Sequence, residues 1–340
     1  MYNIEFHGNA LHSWSHSLSA PKVLLTHRWP PQVEAELSKN FDVTFNVSDQ
    51  PLSESELREA LQNFDAVCPT VTDKLTAELF LAPELRTRII ANYGVGYNHI
   101  DVKAATQKQI AVTNTPDVLT DATADLALTL ILMLARRAGE GERLLRNGDW
   151  QGWCPTHNMG TMVSGKTLGL IGMGRIGRAV AHRASFGFGM KILYHNRRQL
   201  RPDDLAGLEA TYHQNLSDML PHCDFLSLHC PASPETHQII NQQTLALLPR
   251  HAFIINTARG DVIDETALVE ALRSKTIAGA GLDVYAHEPK VPEALLSMEN
   301  VVLLPHLGSA TLETRTAMGM RVLDNLKAFF NGDRPADCVN

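Results

Sequence analysis

The sequence predicts an α/β protein of two domains, each a parallel sheet with helices on both faces. Three observations lead there. Short β-branched runs alternate with amphipathic stretches along most of the chain, which is the pattern of successive βα units. A glycine-spaced turn, Gly172-Met173-Gly174-Arg175-Ile176-Gly177, sits at mid-chain, so βα units precede it as well as follow it. The length of 340 residues, with 44% hydrophobic and 20% charged content, suits about two cores of ordinary globular composition.

Taken in order, residues 1–20 are rich in Ser and His without a clear period and are read as an irregular N-terminal extension. From Pro21 onward, Lys22 to Thr26, Asp42 to Phe45, Ala66 to Pro69, Arg88 to Asn92 and Ile110 to Thr113 read as short strands, with helical segments between them. Ser53 and Glu56 give the reciprocal capping signal for a helix from Glu54 to Leu61. Asp121 to Arg137 is a long, mostly apolar helix, read as buried core. The segment from Ala138 to Ser164, which holds Asp149-Trp150-Gln151-Gly152-Trp153, reads as a long connection, and connections of that length are usually functional or interfacial.

Beyond it, the apolar run Thr167 to Ile171 leads into the glycine turn, and Arg178 to Phe186 is helical. Phe225 to Leu228, Phe253 to Asn256, Ala278 to Gly281 and Val301 to Leu304 continue the strands, and Thr311 to Phe330 is a last amphipathic helix that returns to the first domain. The boundaries expected are 21–117 with 307–340 for one domain and 118–306 for the other. Both are expected to be Rossmann-like or flavodoxin-like, with the active site in the cleft between them.

The glycine turn carries chemistry as well as topology. Its first glycine permits a tight strand-to-helix turn, its second lets backbone approach a pyrophosphate, and its third lets the helix pack on the strand. A dinucleotide site follows, with Gly172, Gly174, Arg175, Ile176 and Gly177 at the phosphates. About 20 residues further on, an Asp or Glu would hold the ribose 2′-hydroxyl of NAD. The chain instead reads Tyr194-His195-Asn196-Arg197-Arg198. Asn196, Arg197 and Arg198 offer donors suited to a 2′-phosphate, so NADPH is expected to be preferred, with NADH as the alternative.

Composition excludes other classes. Lys and Arg total 30 against 37 Asp and Glu, a formal charge of −7, and no basic stripe marks a nucleic-acid or anionic-membrane surface. The longest apolar run, Leu126 to Ala135, is too short to span a bilayer. No secretory signal is visible, and cytoplasm is the expected compartment. The five cysteines, Cys68, Cys154, Cys223, Cys230 and Cys338, form no Cys-x-x-Cys pair and fit reduced thiols. His222-Cys223 and His229-Cys230 flank one strand and cannot easily converge, so no metal is expected.

Three polar residues follow strands of the second half, where strand ends face the ligand crevice. Arg259 offers a fork of donors for a carboxylate or carbonyl. His306 is suited to pass a proton, and Glu288 to favour its proton-carrying form.

With these in view, the chain closely resembles the D-isomer-specific 2-hydroxyacid dehydrogenases, and among them the glyoxylate/hydroxypyruvate reductases. The resemblance covers nearly everything from Pro21 to Asn331. It rests on Asn92 to Asp101, Thr115 to Thr120, the glycine turn, Leu228-His229-Cys230-Pro231, Asn256-Thr257-Ala258-Arg259-Gly260, Gly281 to Tyr285 leading to Glu288-Pro289, and Pro305 to Thr311. It implies hydride transfer between a dinucleotide and a small 2-oxo acid, with His306 as acid/base, Glu288 supporting it and Arg259 binding substrate. It also implies that Val95 and Gly96 hold the substrate carboxylate, with Ser309 and Trp150 lining the substrate. Thr257, Ala258 and Asp283 would face the nicotinamide carboxamide, Pro231 the adenosine, and Thr123 and Gly308 the cofactor. Trp150 and Trp153 resemble an arm that reaches a second subunit, which implies a homodimer. NAD-linked dehydrogenases of lactate-like or larger acids and dinucleotide-sensing binding modules share the fold. The missing acid near Asn196 argues against the first, and the Arg259, Glu288, His306 set against the second.

Overall fold

The computed structural model describes residues 20–340; the rest of the expected N-terminal extension lies outside the described residues. The chain forms two compact units. One runs to Leu119 and resumes at Ala310–Asn340; the other is Thr120–Ser309.

In the first unit the strands are β1 (Lys22–Leu25), β2 (Asp42–Phe45), β3 (Ala66–Cys68), β4 (Ile89–Ala91) and β5 (Ala111–Thr113). All pair in parallel, in the order β2-β1-β3-β4-β5, the flavodoxin-like arrangement. Alternation along β1 sends Val23 and Leu25 to one face and Leu24 to the other. The first face meets Val33 and Leu37, together with Val322, Leu323 and Leu326 of the C-terminal helix Leu312–Phe330. The opposite face meets Leu57 and Leu61 of the helix Glu54–Asn63, whose capping box at Ser53 and Glu56 forms as the sequence predicts. Arg321 and Asn325 of the last helix also hold the buried carboxylate of Asp337, Arg321 through two bonds of 2.6 and 2.7 Å.

The second unit contains β6 (Thr167–Ile171), β7 (Lys191–His195), β8 (Ala210–Tyr212), β9 (Phe225–Leu228), β10 (Phe253–Asn256), β11 (Gly279–Leu282) and β12 (Val301–Leu303). These form one parallel sheet, β12-β11-β10-β9-β6-β7-β8, whose order reverses between β6 and β9 as in a doubly wound dinucleotide-binding fold. The helix Thr120–Ala135 buries Ala127, Leu130, Ile131 and Leu134 against it, as its apolar sequence predicts. Glycine is required in β11 at Gly279, where a Cβ would lie 2.5 Å from the Asn300 carbonyl oxygen.

Three local expectations need correction. The connection after Arg137 is not irregular from its start, because Ala138–Arg146 is helical. No residue of that helix is buried. It is supported by ion pairs, Arg137 with Glu140 at 2.6 Å and Arg146 with Glu142, so no apolar run announces it. The helix after the glycine turn begins at Arg175 rather than Arg178, since Gly174 is already its N-cap. β11 lies one residue later than expected, and the short edge strand β8 carries no apolar run to reveal it.

Candidate active site

The glycine turn follows β6, beside the chain leaving β9, where the strand order reverses. Gly172 has φ +96°, and a Cβ there would stand 2.6 Å from both the Cys230 amide nitrogen and the His229 carbonyl carbon. Only glycine fits that turn. A Cβ at Gly177 would lie 2.1 Å from the Gly172 carbonyl oxygen, so the third glycine is the helix-to-strand contact. Gly174 differs, with nothing within 4 Å of the place a Cβ would take. It is the N-cap of the helix Arg175–Phe188 and supplies no side-chain cap. The open side at Gly174 and the uncapped helix end fit the pyrophosphate of a dinucleotide.

Beneath the turn, His229 packs with its Nε2 2.8 Å from Ser227 Oγ. Burial pushes its pKa down to about 3, so the ring is neutral. Burial likewise raises the Cys230 thiol to about 11 and Cys223 to about 12. These side chains are packing groups. Pro231 follows, exposed, with its carbonyl accepting Thr236 Oγ1 at 2.6 Å.

At the end of β7, Asn196 Oδ1 accepts the Met173 amide at 2.7 Å. Asn196 therefore ties the glycine turn to the neighbouring strand, a role that its place in the sequence did not reveal. Arg197 and Arg198 are exposed, and no hydrogen bond or ion pair holds either guanidinium among the described residues.

Past β10, Asn256 shapes the turn that presents Arg259. Its Nδ2 donates to the Arg259 carbonyl at 2.8 Å, and its Oδ1 accepts the Ala258 amide at 3.0 Å. Arg259 Nη1 donates to the Ala258 carbonyl at 2.7 Å. Burial lowers its pKa from the usual guanidinium value, opposed by the charges of Glu288 and Asp261, and the group remains cationic. Thr257 Oγ1 is buried without a hydrogen-bond partner among the described residues. Asn256 was visible only as part of a motif; an amide side chain closing a strand was the available signal.

After β11, the buried Asp283 accepts the Leu307 amide at 2.6 Å and the Gly308 amide at 2.8 Å. Burial raises its pKa, against the pull of those amides and of His306. Thr123 Oγ1 donates to the Gly308 carbonyl at 3.1 Å, so Thr123, Asp283 and Gly308 meet as one cluster. Ser309 follows, partly exposed. His306 has φ +56°, a left-handed conformation costing about 1–2 kcal/mol for a non-glycine residue. Its amide donates to the Asp283 carbonyl at 2.9 Å, and the two bonds just after it hold this turn in place.

That turn brings His306 Nδ1 to 2.8 Å from Glu288 Oε2, both side chains about one third exposed (31% and 27%). Glu288 Oε1 accepts the Tyr285 amide at 3.0 Å. Burial alone would raise the Glu288 pKa, but the His306 bond and charge, the Tyr285 amide and Arg259 outweigh it and hold the carboxyl below its usual range. An ionised carboxylate only accepts, so His306 Nδ1 carries the hydrogen and Nε2 is left for exchange with a ligand.

Three expected residues lie apart in the chain from this group. Val95 and Gly96 belong to the first unit, in the turn after β4. Trp150 is in the second unit, 51% exposed, with Trp153 at 82%.

A glycine-spaced turn at the reversal of a parallel sheet, with an ionised glutamate hydrogen-bonded to a histidine and an arginine at neighbouring strand ends, fits a dinucleotide-dependent oxidoreductase. Residues 128–308 match the family of the D-isomer specific 2-hydroxyacid dehydrogenase, NAD binding domain. The chain is 44% identical over 324 residues to the glyoxylate reductase of Thermococcus kodakarensis, covering 94% of this chain and 96% of that one. Among solved structures, a D-isomer specific 2-hydroxyacid dehydrogenase from Polaromonas aligns with a TM-score of 0.87 at 41% identity, over 94% of this chain and all of the other. The NADPH-dependent glyoxylate/hydroxypyruvate reductase of Sinorhizobium meliloti, in complex with NADP and malonate, aligns with a TM-score of 0.84 at 38% identity, over 94% and 97% of the two chains. This chain belongs to the D-isomer specific 2-hydroxyacid dehydrogenase family and is an NAD(P)-dependent enzyme.

Proposed function

We propose that the enzyme reduces small 2-oxo acids, glyoxylate and hydroxypyruvate, to glycolate and D-glycerate, with NADPH as the preferred cofactor. The observation that carries this reading is the Glu288–His306 pair on its constrained turn. Glu288 holds the Nδ1 hydrogen, so Nε2 gives its proton to the carbonyl oxygen of the substrate. Arg259 pairs with the carboxylate and polarises the carbonyl. The amides of Val95 and Gly96, which donate to no acceptor among the described residues, add donors to the carboxylate. When bound, the dinucleotide supplies the hydride. Thr257, Ala258 and Asp283 are assigned to its carboxamide, Thr123 and Gly308 to its surroundings, and Pro231 to its adenosine; Ser309 and Trp150 line the substrate.

The small substrate class is supported by the glyoxylate reductases among the relatives and by the solved neighbour that carries NADP and malonate. The NADPH preference is supported by the missing carboxylate after β7 and by the two exposed arginines. We further propose a homodimer associating through the Trp150–Trp153 segment and, from its free cysteines, a reducing cytoplasmic setting. No helix of the described residues is long and apolar enough to cross a membrane.

Initial rates with NADPH and NADH, each against glyoxylate, hydroxypyruvate and pyruvate, test the reading. Replacing Arg197 and Arg198 together by Ala should raise the NADPH Kd by about 10- to 100-fold, the size of one or two charge-assisted hydrogen bonds, and leave that of NADH nearly unchanged. A native preference for NADH would overturn the cofactor assignment, and absence of turnover with every acid would overturn the substrate class.

A further inference from the structure

A carboxylate is recognised by donors that already face it, and in a loop their direction is set by the backbone behind them. The turn after β4 has that direction imposed by side chains. Asn92 is fully buried, and its Nδ2 donates to the Gly94 carbonyl at 2.9 Å and the Gly96 carbonyl at 3.1 Å. Its Oδ1 stands 3.0 Å from His99 Nε2. An Asn amide has one acceptor oxygen and two donor hydrogens, and all are engaged here. From the end of β5, Asn114 Nδ2 donates to the Val95 carbonyl at 2.8 Å, and the Thr115 amide donates to the Gly94 carbonyl at 3.0 Å.

Three successive carbonyls are therefore drawn back into the first unit. These peptides are trans, and in a planar trans peptide the C=O and the following N–H point in opposite directions. Holding the Gly94 and Val95 carbonyls inward turns the Val95 and Gly96 N–H groups outward. Those are the two amides that the functional reading gives to the substrate, and neither donates elsewhere among the described residues.

We propose that Asn92, oriented by His99, and Asn114 are positioning residues that aim the Val95 and Gly96 amides at the substrate carboxylate. The inference rests on the reading that these amides bind that carboxylate. Without the side-chain donors the carbonyls turn towards water, and the amide pair loses its prior alignment.

The test compares Asn92→Asp, Asn114→Ala, His99→Leu and His99→Gln with the native enzyme. It measures KM and kcat for glyoxylate, Ki for oxalate, NADPH Kd and thermal melting. Asn92→Asp, Asn114→Ala and His99→Leu should raise KM and the oxalate Ki about tenfold or more, the scale of one or two lost hydrogen bonds, with NADPH Kd unchanged. His99→Gln should recover most of the loss, because its amide can still donate to Asn92. Asn114 is less buried than Asn92, so its variant carries the test if Asn92→Asp does not fold. Native constants in the folded variants would overturn the inference alone, as would a matching loss of NADPH affinity, which marks a general structural defect. A native enzyme that reduces no 2-oxo acid would overturn the functional reading and this inference with it.

Discussion

Glu288 acts on two neighbours through its two oxygens, taking the His306 ring hydrogen on one and the Tyr285 amide on the other. The pair is thus fixed to backbone as well as to imidazole. His306→Ala should leave the NADPH Kd intact and lower kcat by roughly two to four orders of magnitude, the usual range for loss of a general acid; near-native turnover would reassign the proton. The lowered pKa of Glu288 makes a separate statement about stability. The folded state favours the ionised carboxyl, so this contribution is complete above the ordinary glutamate pKa of about 4.3 and is lost as pH falls through the lower native value. Glu288→Gln should therefore flatten the fall in melting temperature between about pH 5 and pH 3. An unchanged slope would show that other carboxylates govern acid unfolding.

At the scale of elements, the three glycines of the nucleotide turn separate into two roles that substitution can distinguish. Gly177→Ala places a methyl group 2.1 Å from a backbone oxygen, and overpacking of that kind costs about 1–3 kcal/mol. It should lower both melting temperature and NADPH affinity. Gly174→Ala meets open space, so its melting temperature should be nearly native while NADPH affinity falls by more than tenfold if the pyrophosphate lies there. Loss of stability without loss of binding in the second variant would move the phosphate site. The spacing of these glycines and their division of roles were readable in the sequence; that the first packs on His229 and Cys230, distant in the chain, was not. The strands and the apolar helix Thr120–Ala135 were legible for a plainer reason: burial selects apolar residues. The polar helix Ala138–Arg146 and the edge strand β8 bury little, so no apolar run marks them. Arg259, Glu288 and His306 could be proposed from their places after strands. The roles of Asn92, Asn114, Asn196 and Asn256 could not, since an amide's work depends on which distant backbone groups it meets.

For the molecule as a whole, the segment after Arg146 exposes Trp150 and Trp153 together with Met159 (66%) and Met162 (69%). Large apolar groups gathered on one exposed segment commonly mark an interface. Sedimentation of the native protein should give the mass of two chains, and Trp150→Ser with Trp153→Ser should reduce it towards one. A native monomer would remove the dimer from the proposed function.

The course of the chain also bears on the order in which the protein matures during its synthesis. The second unit is continuous in sequence, whereas the first begins before it and resumes only at Ala310. One face of the first sheet is closed by Val322, Leu323 and Leu326 of the helix Leu312–Phe330, which is made only after the whole of the second unit. Domains made first ordinarily fold first. Here every residue of the nucleotide-binding unit has been made once Ser309 emerges, while the earlier-made strands wait with an apolar face uncovered for the helix Leu312–Phe330. The strands made before the nucleotide-binding unit are therefore closed over only after it.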